Sequence, residues 1–256
     1  MKLDIIFGLH AVESLIKNNR DGVSELLVLK GRHDKRLSRL LRQAKGLPIR
    51  QVNRRELDNI ANTETHQGII AYASSAAGAS QQQLLKENLL PSFIESIQGT
   101  PLILLLDGIT DPHNFGACLR TADAAGVHLV IMPRDRSVGL TPIVRKVASG
   151  AAETVPVCQV TNLARAMETL KDAGIWIAGA AGEATDSFCD VDYKGPMAIV
   201  MGAEGSGLRH LTREKCDYLI KIPMAGEVSS LNVSVATGVC LFEVVRQRTN
   251  PMKEQE

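Results

Sequence analysis

Residues 101–133, PLILLLDGITDPHNFGACLRTADAAGVHLVIMP, contain the pattern that decides the fold. A short, continuous apolar run is followed by a polar stretch rich in turn-forming residues, then by a helical segment, and then by a second apolar run. Continuous apolar strands that alternate with helices are typical of a parallel sheet covered on both faces. We therefore expect an α/β fold, and open α/β sheets bind ligands beyond the carboxyl ends of their strands.

The same alternation continues to the C-terminus, where further strands are predicted in WIAGAAG, MAIVMG and YLIKIP. Helices are predicted over 114–125, 141–149, 161–173 and 232–247. Three polar, glycine-containing stretches follow predicted strands, and we call them the first, second and third islands: DGITDPHNFGACLRTADAAG (107–126), IVMGAEGSGLRH (199–210) and GEVSSLNVSVATGV (226–239). Their positions predict one composite site at the ends of several strands.

The chain before residue 75 has the composition of a second, smaller α/β unit. Strands are predicted over 23–29, 49–52 and 68–73, and helices over 9–18, 34–45 and 54–61. SSAAGASQQQ (74–83) has no apolar period and is predicted to be a linker. Residues 83–97 have an apolar stripe at helical spacing that Pro91 interrupts, which predicts one connecting helix or two short ones.

Charge and cysteine content limit the possible partners and compartment. The formal net charge is +1, yet residues 1–77 hold 13 Lys and Arg against 8 Asp and Glu, and the excess is concentrated in KGRHDKRLSRLLRQAK (30–45). Such a segment is either attracted to a polyphosphate backbone or is a solvated helix face. The five scattered cysteines, without a CxxC pair, argue against a disulfide framework or a zinc site and favour a reducing cytoplasm. No apolar run approaches the ~18–20 residues of a membrane helix.

The islands carry the candidate chemical groups. Asn114 and Arg120 are a little under two helical turns apart and are expected to face one cleft, where an arginine suits a phosphate or a developing oxyanion. The alternatives are a helix cap for Asn114 and a surface ion pair with Asp123 for Arg120. Glu204, in a glycine-rich turn, could accept a ribose hydroxyl or orient the arginine, or could be an ordinary loop acid.

Familiar nucleotide motifs are absent from the sequence. The glycines at 202, 205 and 207 do not form GxGxxG, and neither GxxxxGK[ST] nor HExxH occurs. Glycines at these positions nevertheless let the backbone approach a ligand closely. Ile222 and Leu231 are either the apolar walls of a site for a flat heterocycle or plain core residues.

Taken together, DPHNFGACLRTADAAG, IVMGAEGSGLR and IPMAGEVSSLNVSVATGVCLFE resemble the three motifs of the SpoU (TrmH) family of RNA ribose 2′-O-methyltransferases, in the same order and at similar spacing. The N-terminal stretches IIFGLHAVESLI and THQGIIA are similar to the substrate-binding domain of those members that methylate a guanosine ribose in 23S rRNA. The resemblance covers nearly the whole chain.

This resemblance implies a small L30e-like α/β RNA-binding domain over 1–76, a linker and connecting helix over 77–99, and a SPOUT methyltransferase domain with a trefoil knot over 100–250. It also implies a homodimer, S-adenosylmethionine as the cofactor, no metal, and 23S rRNA as the partner, with no DNA and no membrane. Methylation of tRNA, and an RNA-binding assembly factor that does not transfer methyl groups, remain alternatives.

The resemblance also assigns roles to single residues. The positions that match the cofactor-binding residues of the family are Met201, Gly202, Ile222 and Leu231. The positions that match its active-site residues are Asn114, Arg120, Glu204, Ser230 and Asn232. Arg120 is the first candidate for a catalytic role.

Overall fold

The computed structural model describes residues 3–18, 20–32, 34–64, 66–74, 84–203, 205 and 207–249. Within these ranges the chain forms two sheets, one of four strands in its N-terminal part and one of eight strands in the remainder. The predicted linker (74–83) lies outside the described residues except for Ser74, which ends a strand. No helix in the described ranges combines the length and the apolar character that crossing a bilayer requires.

The N-terminal unit consists, in chain order, of β1 (Leu3–Phe7), α1 (Leu9–Asn18), β2 (Val23–Leu29), α2 (Lys35–Gln43), β3 (Ile49–Val52), α3 (Arg54–Ala61) and β4 (Ile69–Ser74). The strand order is β1-β4-β2-β3. Strands β1 and β2 pair antiparallel with β4, whereas β3 pairs parallel with β2. The predicted helices and strands of this unit are confirmed to within two residues at each end, and β1 is an additional strand.

The larger unit consists, in chain order, of β5 (Leu84–Leu85), α4 (Leu90–Ser96), β6 (Leu102–Asp107), α5 (Pro112–Ala124), β7 (Leu129–Pro133), α6 (Pro142–Ala148), β8 (Val157–Val160), α7 (Leu163–Asp172), β9 (Trp176–Ala180), β10 (Asp186–Ser187), β11 (Met197–Gly202), α8 (His210–Glu214), β12 (Tyr218–Lys221) and α9 (Val233–Thr249). Its strand order is β10-β12-β9-β11-β6-β7-β8-β5. Every neighbouring pair is parallel, which confirms the predicted parallel α/β sheet.

The continuous apolar strands are buried on both faces of this sheet. In β6, Leu104 and Leu106 pack into one core cluster, which includes residues of α5, α6 and α9. Ile103 and Leu105 point to the opposite face and pack with residues of α4 and α7. Because successive side chains of a strand alternate between faces, a strand covered on both sides must be apolar at every position.

The prediction of helical structure over 83–97 is partly wrong. Leu84 and Leu85 form a short edge strand parallel to β8, a 3-10 turn covers Glu87–Leu89, and α4 begins only at Leu90. Pro91 lies in the first turn of α4, where its missing N–H costs no intrahelical hydrogen bond. The sequence patterns also do not predict the strands β8 and β10 or the short helix α8.

The two units contact each other through β1 and α1, which lie beside α6 and the 3-10 helix that follows it. Ser14 on α1 donates a hydrogen bond from its Oγ to the carbonyl oxygen of Gly150 over 3.4 Å. Gly150 adopts a left-handed φ of 103° and begins a 3-10 helix, Ala151–Glu153, which follows α6. This contact leaves the first turns of α1 beside α5 and α6.

Candidate active site

All three islands meet at the carboxyl edge of the eight-stranded sheet. The first island begins where β6 ends, and the second begins within β11, which is its direct neighbour, so that Gly202 pairs in register with Asp107. The third island follows β12, the strand next to β9. The predicted composite site therefore has a structural basis in the strand order, which brings segments about 100 residues apart in sequence to one edge.

A cavity of about 430 Å³ lies between the second and third islands. Met201 and Gly202 line it at the end of β11, and Ile222, Ser230 and Leu231 line it from the other side. The remaining lining residues are Ala180, Ala181, Gly182, Glu183, Ala203, Gly205, Gly207, Ile220, Lys221, Met224, Ser229, Val233 and Ala236. The structure thus brings all four predicted cofactor-binding residues, and Ser230, to one concave surface.

The second island turns back on itself beside this cavity. The amide of Ala203 donates to the carbonyl of Gly207 over 3.1 Å, and the amide of Gly207 donates to the carbonyl of Ala203 over 2.9 Å. Gly205 and Gly207 both have left-handed φ angles. A Cβ on Gly202 would come closer than 3.0 Å to backbone atoms of Gly207 and Leu208. The turn can therefore close over the strand end only because residue 202 is glycine.

The apolar walls of the cavity differ in how far they belong to the core. Met201 is buried and Ile222 is partly buried, and both pack against the same core cluster. Leu231 is half-buried, lies outside that cluster and contributes its side chain to the cavity. Of the two alternatives for these residues, core packing accounts for Ile222 in part and does not account for Leu231.

A hydrogen bond joins the first and third islands. Asn232 donates from Nδ2 to the Oδ1 of Asn114 over 3.0 Å. Asn232 also accepts from the amide and the hydroxyl of Ser234 at 2.9 and 2.6 Å, at the start of α9. The side chain of Asp111, and not that of Asn114, caps α5 by accepting from the amides of His113 and Asn114. Asn114 therefore does not act as the helix cap and links two islands instead.

Arg120 does not line the cavity that holds Gly202 and Leu231. It lines a separate cavity of about 360 Å³ together with His10, Asp123 and Ser149. The expectation that Asn114 and Arg120 face one cleft is therefore not met within the single chain. Arg120 follows Asn114 by six residues, which is about 9 Å along the axis of an α-helix. The two side chains therefore leave the helix in directions about 120° apart.

The alternative role for Arg120, an ion pair with Asp123, is not present either. The carboxylate of Asp123 accepts instead from the hydroxyl of Thr154 at 2.5 Å. The guanidinium of Arg120 is exposed and forms no hydrogen bond or ion pair with the residues that the structure describes. Glu204, the remaining predicted active-site residue, lies outside the described residues.

Sequence reasoning missed an ion pair that connects the first and second islands. Asp107, at the end of β6, is 1% exposed, and its carboxylate accepts from the amide of Arg209 at 3.0 Å and from Arg209 Nε at 2.5 Å. A buried carboxylate is stable only when it is paired and hydrogen-bonded. The sequence signal that could have predicted this pair is Asp107 itself, the single polar residue at the end of the apolar run PLILLLD.

A second ion pair, between two buried side chains, lies in the segment next to Arg120. Arg145 on α6 donates to the carboxylate of Glu153 over 2.7 Å, and both side chains are almost fully buried. Burial raises the pKa of Glu153 to about 7, although the positive charge of Arg145 acts in the opposite direction. Cys118, which lies in the first island, is also buried, and burial raises the pKa of its thiol to about 11, so Cys118 is a packing residue and not a reactive thiol.

Two sequence profiles together match most of the chain. Residues 5–77 match the profile for RNA 2′-O ribose methyltransferase substrate binding. Residues 101–242 match that of the SpoU rRNA methylase family.

Curated relatives and solved structures are similar over nearly the full length. The 23S rRNA (guanosine-2′-O-)-methyltransferase RlmB of Shewanella oneidensis is 56% identical over 249 residues, which are 96% of this chain and 98% of the relative. A crystal structure of an RNA 2′-O ribose methyltransferase has a TM-score of 0.81 at 25% identity and covers 96% of this chain and 89% of its own.

The SpoU methyltransferase AviRb of Streptomyces viridochromogenes, solved in complex with the cofactor AdoMet, has a TM-score of 0.77. Its 23% identity, over 97% of this chain and 91% of its own, supports the fold alone. The trefoil knot implied by the resemblance stays a prediction. The profiles, the identity over nearly the whole chain and the strand-end site lead to one conclusion: this chain belongs to the SpoU rRNA methylase family.

Proposed function

We propose that this protein transfers a methyl group from S-adenosylmethionine to the ribose 2′-oxygen of a guanosine in the peptidyl-transferase region of 23S rRNA. The observation that carries the proposal is that the second and third islands line one strand-end cavity, while the hydrogen bond between Asn232 and Asn114 joins the first island to the third. Family membership supports methyl transfer, and the relative from Shewanella oneidensis, which shares more than half of the sequence, supports 23S rRNA as the substrate.

The cavity fits S-adenosylmethionine in size and in chemistry. Its volume of about 430 Å³ is within the range of small-molecule sites, which are mostly apolar with a few placed polar groups. Ile222 and Leu231 would enclose the adenine, and backbone groups near Gly202 and Ile222 would read its edge. When bound, the sulfonium supplies an activated methyl group, so that the protein must mainly align and activate the hydroxyl.

The residues of the first and third islands would position that hydroxyl. Asn114 and Asn232 already form a hydrogen-bonded pair that spans the two islands, and Ser230 lines the cavity beside them. Glu204 completes the proposed set from the second island. Holding the reacting groups in line contributes roughly 7–11 kcal/mol in favourable cases, so that rigid placement of this pair is worth more than any single polar contact.

Arg120 would stabilise the emerging alkoxide together with the adjacent RNA phosphate. A guanidinium has a pKa above about 12 and is a poor proton acceptor, so electrostatic stabilisation is the physically easier role, with phosphate or water taking the proton. Its exposed position without an ion pair to any described residue leaves the charge available to RNA. Because it lies away from the cofactor cavity of its own chain, it would reach the reacting oxygen only across the interface of the proposed homodimer, and we assign it to the RNA side of the site.

We assign residues 1–76 to RNA binding and residues 100–250 to methyl transfer, with 77–99 joining them. The support for the first assignment is α2, in which Leu37 and Leu40 face the core while Lys35, Arg36, Arg39 and Arg42 are exposed. Exposed cations in a row attract a phosphate backbone. Replacing Arg39 and Arg42 with Glu should weaken rRNA binding and flatten its salt dependence, while S-adenosylmethionine affinity stays unchanged; unchanged rRNA affinity would contradict the assignment.

A homodimer is also part of the proposal. Val235 and Phe242, two turns apart on α9, are 52% and 48% exposed although they belong to the helix that starts at the site. Exposed apolar side chains on one helix face favour an interface. Light scattering should give twice the chain mass for the wild type and a shift toward the monomer for Phe242→Glu; a monomeric wild type would contradict this part of the proposal.

We place the reaction in the cytoplasm, where five free cysteines are compatible with a reducing environment. The decisive experiment uses tritiated S-adenosylmethionine and 23S rRNA from a strain that lacks the gene, followed by mapping of 2′-O-methyl marks. We expect one methylated guanosine in the peptidyl-transferase region. If the protein labelled tRNA instead, tRNA and not 23S rRNA would be its substrate. If it bound the cofactor but transferred no methyl group, it would be an RNA-binding assembly factor and not an enzyme.

A further inference from the structure

A groove rich in basic residues runs along the carboxyl edge of the sheet, on the side away from β12. It consists of two neighbouring cavities: one of about 400 Å³ at the ends of β7 and β8, and one of about 710 Å³ that extends from Arg134 toward β5, α4 and α7. We call it the basic groove and define it by five side chains: Lys86, Arg134, Arg136, Arg165 and Arg209. Three adjacent strand ends, β6, β7 and β8, span two strand spacings, about 10 Å.

Three of these five cations lack a counterion in the described part of the chain. Arg209 is paired with buried Asp107, and Arg165 donates to Glu87 over 2.9 Å. Lys86, Arg134 and Arg136 form no side-chain hydrogen bond or ion pair with a described residue.

The acids that line the groove are too few to balance these charges. Glu87 also accepts from the amide and hydroxyl of Thr161 at 3.0 Å, so its oxygens are already occupied. Asp135 is the other acid among the lining residues. Residues 78–256 as a whole hold 16 Lys and Arg against 20 Asp and Glu, so this excess of positive charge is local and is not a consequence of composition.

The backbone that presents Arg136 is strained. Arg136 has a φ of 58°, a left-handed conformation that costs a non-glycine residue about 1–2 kcal/mol. The loop is held by a 3.0 Å hydrogen bond from the amide of Val138 to the carbonyl of Ile109, and by the hydroxyl of Ser137 on the carbonyl of Pro133. These hydrogen bonds on either side of Arg136 hold the loop in this conformation and fix the point at which its side chain leaves the backbone.

The basic groove begins close to the cofactor cavity. Gly202 lines that cavity and pairs in register with Asp107 on the neighbouring strand. The carboxylate of Asp107 in turn holds Arg209, which lines the groove beside Arg136. One residue pair therefore separates the proposed site of methyl transfer from the first cation of the groove.

We propose that the basic groove binds the sugar–phosphate backbone of the RNA segment that flanks the methylated nucleoside, with Arg134 and Arg136 each neutralising a phosphate. The inference rests on the proposed function and adds a second RNA-binding surface, distinct from α2. Backbone contacts of this kind fix the register of the nucleic acid without reading its sequence. Arg209 lies where the RNA strand would leave the groove and enter the reaction site.

The test measures binding of an in vitro transcript of the peptidyl-transferase domain of 23S rRNA at several salt concentrations. The variants are Arg134→Gln and Arg136→Gly, because glycine keeps the left-handed backbone while removing the charge. Removing one phosphate-binding cation should lower affinity about 5- to 8-fold at 0.1 M salt and reduce the slope of log K against log[salt] by about 0.7–0.9. Lys194→Gln, which removes an exposed cation away from both cavities, is the control.

We expect the double variant to show the combined effect of both substitutions on RNA affinity and salt slope, while its S-adenosylmethionine affinity, measured by calorimetry, equals that of the wild type. The inference would be overturned if the double variant and Lys194→Gln had the same RNA affinity and salt slope. It would also be overturned if the double variant lost cofactor affinity in parallel with RNA affinity, because the loop would then have only a structural role. A wild-type protein that binds the transcript but transfers no methyl group would refute the proposed function separately.

Discussion

Replacing Gly202 with alanine is the most direct perturbation of the proposed cofactor cavity. The added Cβ would come closer than 3.0 Å to the backbone of Gly207 and Leu208, and neither can rotate away as a side chain could. Relief of the clash requires the turn from 203 to 207 to open, which breaks its two hydrogen bonds at 3.1 and 2.9 Å.

The expected loss follows from this clash and these hydrogen bonds. Overpacking costs about 1–3 kcal/mol, and the two hydrogen bonds together about 1–3 kcal/mol, so the loss of unfolding free energy should be about 2–6 kcal/mol. For a domain of this size that lowers the Tm by about 4–24 °C. Because Gly202, Ala203, Gly205 and Gly207 all line the cavity, S-adenosylmethionine affinity should fall at least tenfold.

Thermal unfolding and isothermal titration calorimetry measure the two effects separately. Gly195→Ala is the matched control, since a Cβ there meets no atom within 4 Å and the position lies outside the cavity. A Gly202→Ala protein with the Tm and cofactor affinity of Gly195→Ala would refute the reasoning that the turn shapes the cavity.

Two further predictions concern the groups around α5. Arg120→Ala should reduce methyl transfer at saturating RNA by at least tenfold without changing S-adenosylmethionine affinity, because Arg120 lines a different cavity; near wild-type turnover would remove it from the chemistry. Since burial raises the pKa of Glu153 to about 7, the folded chain binds its proton more tightly than the unfolded chain, so this contribution to stability is present at low pH and is lost as pH rises through about 5 to 7. The unfolding free energy of the wild type should therefore fall by roughly 1–3 kcal/mol relative to Glu153→Gln between pH 5 and pH 8, measured by urea denaturation, and parallel pH profiles would contradict it.

Much of the fold is readable from local patterns. The apolar runs at β6, β7, β9, β11 and β12 need no partner information, because a strand covered on both faces must be apolar throughout. Strand β5 contains only two residues, and in β8 the polar Gln159 interrupts a four-residue run, so neither gives a continuous apolar pattern. Leu84–Leu85 is extended because it pairs with the edge of the sheet beside Val157, although its apolar spacing alone favours a helix.

Some parts of the candidate site can likewise be identified from the sequence, and others cannot. The islands and the residues Met201, Gly202, Ile222 and Leu231 are identifiable from the sequence, since glycines and small polar residues interrupt apolar runs there. The Asp107–Arg209 pair is not, because its members are 102 residues apart and only the β6–β11 pairing brings them together.

By itself the sequence determined the parallel α/β architecture, the family and the segments that form the site, since apolar periodicity and the motifs are properties of consecutive residues. The tertiary structure alone decided which of those residues meet. It joined Asn114 to Asn232 across α5 and α9, and it turned Arg120 toward His10. The physical reason is that a helix rotates each residue by about 100°, so that the direction of a side chain depends on the packing of the whole helix.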